Sequence, residues 1–272
     1  MSTTRLLAAL AAATLLPLAA PVLPTAVAGS SMVARIDFVE QTPGATITTP
    51  TVRGSGASGL AARVVSEGGG RAWTGDNSTS TTHRAMRLPA YAPLHRPSTP
   101  LAVLGIRNTT TTDALEVGDR SFRWQADFRQ DTELGDVEDD GDNVFQRGLA
   151  SGASQWKLSA DGHKVGCYLR IGGRWVGTWT ATVRDTAWYR ASCTRTVVSA
   201  TRATLTLDLR RWDGTRYVPY RSHVADGNAA GRISFPRSVP ASVGGKLNDD
   251  GTLHSNPDQF NGTIDNPVLD VW

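Results

Sequence analysis

The 272-residue sequence carries little excess charge, few cysteines and, beyond its first 28 residues, no apolar run long enough to cross a bilayer. Its 28 basic and 25 acidic residues leave a formal net charge of +3. That balance excludes a protein built to neutralise nucleic-acid phosphates. Without a run of roughly 18 apolar residues, the rest of the chain has no spanning helix. No repeat of fixed period and no linker divides it. Gly 27 and Pro 14 stay below low-complexity composition, and 40% hydrophobic residues exclude global disorder. The five histidines (His83, His95, His163, His223 and His254) lack metal-ligand spacing, so no zinc site is read. Gly-x-Ser-x-Gly is absent, which removes the usual local sign of a serine hydrolase. Gly54-Ser-Gly-Ala-Ser-Gly59 matches a dinucleotide-binding string but has no βαβ context, and reads as a loop. Lysine is rare, 3 against 25 arginines, a skew that genome base composition explains as readily as any binding role.

What is present begins with an export signal. Arg5 precedes an apolar run from Leu6 to about Ala20, and the small-residue triplet Ala26-Val27-Ala28 follows. That order predicts a secretory signal peptide over 1–28, cleaved after Ala28, and an extracellular mature chain. A membrane anchor is the alternative, but Pro17, Pro21 and Pro24 interrupt the segment and no stop-transfer flank follows. In an oxidising compartment Cys167 and Cys193 most simply form one disulfide.

The mature chain, 29–272, reads as a single domain dominated by β-strands. Phe122, Trp124, Ala126 and Phe128 alternate with polar residues, as do Leu205, Leu207 and Leu209. Period-two alternation marks strands with one buried face. Further strands are expected over 33–39, 60–66, 100–107, 144–147, 155–159, 188–195 and 260–272; residues 60–65 also fit a short helix. Glu67-Gly-Gly-Gly70, Asp161-Gly162, Gly172-Gly173, Asp213-Gly214 and Asp250-Gly251 read as turns that favour hairpins. Many short antiparallel strands predict an all-β sandwich or barrel.

Two stretches carry a resemblance. Val243-Gly-Gly-Lys-Leu-Asn248, followed by Phe260, Gly262, Ile264, Asp265 and, one residue late, Val268, resembles the closing strands of laminin-G-like domains. Asp140 to Gly148, Gln155 to Leu158, Cys167 and Trp188 to Cys193 are similar to secreted bacterial members of that group. The resemblance implies a concanavalin A-like jelly roll of two antiparallel sheets. The extra residue before Val268, with Pro267 beside it, departs from the pattern.

An acidic run stands out at Glu133-Leu-Gly-Asp-Val-Glu-Asp-Asp-Gly-Asp142. Asp136, Glu138, Asp140 and Asp142 alternate around Gly141 and could supply oxygens to calcium, a cation that recurs in the resembled superfamily. Arg147 stands where an EF-hand needs its twelfth-position Glu, so a full EF-hand is excluded. A solvated acidic loop tip is the plainer alternative. The run also approaches the Glu-x-Asp-x-x-Glu signature of retaining glucanases, with Glu138 and Asp140 in register. Asn143 replaces the acid/base, and an amide cannot protonate a leaving group.

Trp175 and Trp179 fall on one face of an extended segment, roughly 13 Å apart, with Gly177 between them. Indoles so spaced can stack on sugar rings, or they can cap the core. Trp73, Trp124, Trp156, Trp188 and Trp212 read as core or core-edge. The expected function is a secreted, non-catalytic module for a glycan or an extracellular, cell-surface partner, assisted by calcium. The alternative is a glycoside hydrolase or lyase on the same sandwich.

Overall fold

In the computed structural model the described residues are 31–38, 42–76, 84–90, 98–131, 142–181, 183 and 186–272. Their strands are, in order, β1 Ser31–Asp37, β2 Thr46–Ile47, β3 Thr51–Arg53, β4 Leu60–Glu67, β5 Ala72–Asp76, β6 Arg84–Arg87, β7 Leu101–Asn108 and β8 Phe122–Gln130. They continue as β9 Asp142–Arg147, β10 Ser154–Asp161, β11 Lys164–Ile171, β12 Arg174–Ala181, β13 Trp188–Ser199, β14 Arg202–Trp212, β15 Tyr217–Val224, β16 Ala241–Val243 and β17 Gly262–Val271.

They form two antiparallel sheets, an all-β sandwich, which is one of the two architectures the alternation allows and the one the resemblance implies. The ten-stranded sheet runs β15-β14-β13-β8-β17-β6-β5-β2, with β1 joining β17 to β3. The seven-stranded sheet runs β12-β11-β10-β9-β16-β7-β4. Among the described residues no helix is long and apolar enough to cross a membrane.

The alternating side chains meet between the sheets. Phe122, Trp124, Ala126 and Phe128 of β8 are buried against Trp156, Leu158 and Ala160 of β10 and their neighbours. Trp124 and Trp156 stand with ring centroids 6.0 Å apart, and Phe145 meets Trp156 edge-on at 4.9 Å. Each such fully buried apolar side chain contributes about 1.5–3 kcal/mol relative to exposure. Trp188 is also buried, whereas Trp73 and Trp212 are half-buried at the margin.

Cys167 on β11 and Cys193 on β13 are bonded, with Cα atoms 5.6 Å apart and both side chains fully buried. One lies in each sheet, so the disulfide fastens the sheets to each other through the core.

Residues 60–65 are strand, not helix. They pair along β7 from Leu60 opposite Asn108 to Glu67 opposite Leu101, and Leu60 and Ala62 turn inward. The β-branched pair Val64-Val65 suits that pleated surface. The extra residue near Val268 is a β-bulge. Asp265 opposes Asp127 and Val268 opposes Gln125, so Asn266 and Pro267 face a single residue of β8. Asn266 adopts φ 47 and donates its side-chain amide to Asp127, while Pro267 sits in the bulge, where a ladder tolerates a missing N–H.

Three of the turn signals close hairpins: β10–β11 at Asp161-Gly162, β11–β12 at Gly172-Gly173 and β14–β15 at Asp213-Gly214. Gly172 and Gly173 both have positive φ, 57 and 82, as a primed two-residue turn requires. Glu67-Gly70 instead carries the chain from the seven-stranded sheet to the ten-stranded one, and Asp250-Gly251 turns inside the long loop after β16.

Candidate functional site

The edge strand β12 carries the two candidate indoles. Its inward positions, Val176, Thr178 and Thr180, are buried. Arg174 fastens the strand by donating to the carbonyls of Asn228 at 2.7 Å and Ala230 at 3.2 Å. With that face committed, Trp175, Gly177 and Trp179 point outward. Trp175 is 45% exposed and Trp179 53% exposed, so neither caps the core.

Outward positions of the neighbouring strands extend the surface. Tyr168 of β11 lies opposite Gly177 on one side and Lys157 of β10 on the other. Its ring reclines across two side-chain-free positions. A Cβ built on Gly177 would meet the ring 2.6 Å from Cδ1, and one on Gly166 would meet it 2.4 Å from Cε2. The glycines therefore lay Tyr168 flat between the indoles, whereas any larger residue would lift it. Arg170 sits 5.2 Å from the Trp175 ring centroid and Lys164 5.7 Å from that of Trp179, giving each indole a cation.

These residues border a groove of about 650 Å³ with Gln146, Gln155 and Ser159 among its polar lining. Its far wall is the loop between β16 and β17, which contributes Lys246 and Asp258, paired at 2.6 Å. Asn143 fixes this wall, donating its backbone N–H to the Asp258 carbonyl at 3.0 Å and its side-chain amide to the Asp258 carboxylate at 3.3 Å. The Gln259 side-chain amide oxygen accepts from the Ala102 N–H at 2.7 Å. Asp258 is held at φ 41, a sparsely populated conformation for a non-glycine residue.

The electrostatics of the groove centre on Lys157. Burial pushes its pKa below the ordinary lysine value and nearby Lys246 adds to the shift, while Asp258, Asp161 and Asp142 oppose it. Burial raises the Tyr168 pKa, with Asp161 adding to the rise, so the phenol stays protonated. Among the described residues the Lys157 ammonium has no hydrogen-bond or ion-pair partner, and the side chain lines the groove.

The acidic-loop candidates divide. Asp136, Glu138 and Asp140 lie outside the described residues, as do residues 1–28 with the cleavage point at Ala28. Asp142 opens β9, where it is buried and accepts the Asn261 N–H at 3.4 Å. Among the described residues no three His, Cys, Asp or Glu side chains converge on a common point. Asn143, the amide in the glucanase register, is buried against Asp258. Arg147 is fully buried beside Asp113 at 2.8 Å and the Val239 carbonyl at 3.2 Å.

Of the residues at this groove, the sequence pattern singled out the two indoles but not Lys157, Lys164, Tyr168, Lys246 and Asp258. One available signal was parity, since Gly166 and Gly177 flank outward positions on successive strands. Another was the placement of the chain's few lysines.

No family model matches this chain, and no curated protein matches it. The sandwich does match solved structures. Over 88% of its length it is similar to the botulinum neurotoxin serotype G binding domain, at TM-score 0.52 and 11% identity, covering 47% of that chain. It is similar to the binding domain of Paraclostridial Mosquitocidal Protein 1 at TM-score 0.51 and 10% identity, covering 88% of this chain and 48% of that one. A shorter match, over 56% of this chain and 28% of the other, is to the LG1-3 region of the laminin alpha2 chain, at TM-score 0.41 and 15% identity. The chain thus spans about half the length of the toxin domains, and at 10–11% identity the likeness to them is one of fold alone, a two-sheet antiparallel β-sandwich.

Proposed function

We propose that this protein is an exported, laminin-G-like binding module that holds a glycan chain along the outward face of the seven-stranded sheet. The carrying observation is the platform Trp175–Tyr168–Trp179, two half-exposed indoles on one edge strand with a flat phenol between them, bordering a groove whose largely apolar lining carries charged side chains. Sugar rings present apolar C–H faces that stack on aromatic rings, and hydroxyls that need polar edges. Asp161 and Lys164, both accessible at the groove, supply such edges. The buried disulfide is compatible with the oxidising compartment that the signal peptide implies. The matched toxin domains are binding domains by name, which is compatible with a module of this kind, although fold alone does not set function. Calcium would be held by Asp136, Glu138, Asp140 and Asp142, the last of which opens β9. The test is titration of a glycan panel, with the double variant Trp175→Ala and Trp179→Ala as control. Binding that disappears in the folded variant supports the reading; binding that survives removes the platform from it.

One observation favours a polysaccharide-active enzyme instead. Lys157 has a lowered pKa and lies opposite the protonated phenol of Tyr168 at the same groove. Such a pair could take a proton from a carbon acidified by a neighbouring carboxylate and return one to the leaving oxygen, as a lyase requires. Unsaturated product released from the panel would select this reading, and intact glycans after prolonged incubation would reject it.

A further inference from the structure

We infer that the groove selects acidic glycans, chains whose rings carry carboxylate or sulfate groups, and that Lys157 and Lys164 are its selecting charges. This rests on the reading of the groove as a glycan site. The first observation is compositional. The chain has 3 lysines against 25 arginines, and all three lysines (Lys157, Lys164 and Lys246) line this one groove. Genome base composition lowers the number of lysines but has no means of gathering them at one place. The arginines that the fold uses internally are committed to planar partners: Arg190 forks onto Asp127 at 2.6 and 2.7 Å, and Arg195 donates to the carbonyls of Ala229 and Gly231. A lysine ammonium is a compact charge on a flexible stem, suited to following an anion on a ligand that arrives from solvent.

The second observation is that each aromatic ring of the platform has a cation beside it. Trp175 has Arg170, Trp179 has Lys164, and Tyr168 lies opposite Lys157. An acidic sugar ring offers the matching pair of features, an apolar face for the aromatic ring and an anion at its rim for the cation. A neutral sugar would use the ring and leave the half-buried Lys157 ammonium desolvated and unanswered, which is costly for a charge. Lys246 is already held by Asp258 at 2.6 Å, so selection falls to the other two lysines.

The test measures binding of the mature protein to polygalacturonate, polymannuronate and chondroitin sulfate, each beside its carboxyl-reduced or desulfated counterpart, at low and high salt. The expected result is at least about tenfold tighter binding of an acidic form, a difference of roughly 1.4 kcal/mol, weakened by salt. Preference for the polyuronates identifies carboxylate as the recognised group, and preference for the sulfated chain identifies sulfate. The variants Lys157→Met and Lys164→Met should reduce acidic binding towards the level of the neutral chain. Lys164 is exposed, so its variant stays folded even if the Lys157 variant does not. Equal affinity for acidic and neutral forms overturns the selectivity and leaves the glycan reading standing, as does an acidic preference that survives Lys164→Met undiminished. No binding of either form by folded protein overturns both.

Discussion

Tyr168 lies over Gly177, its cross-strand partner, so closely that a methyl group added to the glycine would sit 2.6 Å from the ring's Cδ1. Gly177→Ala should therefore tilt the ring off the sheet. The overpacking cost of about 1–3 kcal/mol falls partly on a side chain that can swing outward, and alanine recovers roughly 0.5 kcal/mol of backbone entropy in a strand. The expected outcome is a stability change of about 1 kcal/mol or less with glycan affinity lowered about tenfold. Denaturant titration beside binding isotherms separates the two effects, and undiminished affinity would show that the flat phenol is not part of the platform.

The indoles should matter to the ligand and little to the fold. Trp179 is 53% exposed, so Trp179→Ala should change unfolding free energy by about 0.5 kcal/mol or less. A markedly larger loss in chemical denaturation would mean that the ring holds the edge strand in place.

The disulfide joins strands of opposite sheets at the centre of the core. Its loop spans a sequence separation of 26, for which the chain-entropy model gives about 3.5 kcal/mol. Replacing Cys167 and Cys193 together by Ala should lower stability by about that amount, read from urea unfolding. A loss below about 1 kcal/mol would show that core packing alone fixes the sheets.

Lys157 links pH to both binding and stability, in opposite directions. Its folded pKa is depressed, mainly by burial, with Lys246 in support and Asp258, Asp161 and Asp142 opposing. An acidic ligand needs the charged amine, so affinity should be full below the lowered pKa and decline as pH rises through it, before ordinary lysines titrate. Between the folded pKa and the higher unfolded one the unfolded chain binds more protons, so this group's contribution to stability should rise with pH. Affinity measured from neutral to about pH 10 checks the sign. Lys157→Arg should move the decline to higher pH, because a guanidinium does not titrate in that range.

Millimolar calcium should raise the melting temperature if the acidic run holds the ion, and Asp140→Ala with Asp142→Ala should abolish the rise. Asp142 also accepts the Asn261 N–H, so its loss lowers stability by itself; the informative quantity is the calcium-dependent shift. No shift in the parent protein would end the calcium reading.

The fold was legible wherever burial is enforced locally. The alternation of Phe122 to Phe128 and of Leu205 to Leu209 announces one wet and one dry face, and the glycine pair 172–173 announces a hairpin. The departure at Asn266-Pro267 was visible too, but only pairing with β8 shows that a bulge absorbs it without breaking the strand. Residues 60–65 were ambiguous between helix and strand because the choice rests on β7, which is not local to them.

The site was legible only in its indoles. Spacing put Trp175 and Trp179 on one face but could not say which face was dry; the inward burial of Val176, Thr178 and Thr180 decides it. Lys157, Tyr168, Lys246 and Asp258 are separated by up to 101 positions in the chain and meet only because β10, β11 and the loop after β16 close around one groove. The sequence by itself determined the two-faced strands, the turns between them and a cysteine pair available to bond, since each follows from the chemistry of neighbouring residues. Only the tertiary structure decided that the lysines converge, that the glycines seat Tyr168 and that the indoles face solvent. Those outcomes depend on strand order and register, which arise from packing between segments far apart in the chain.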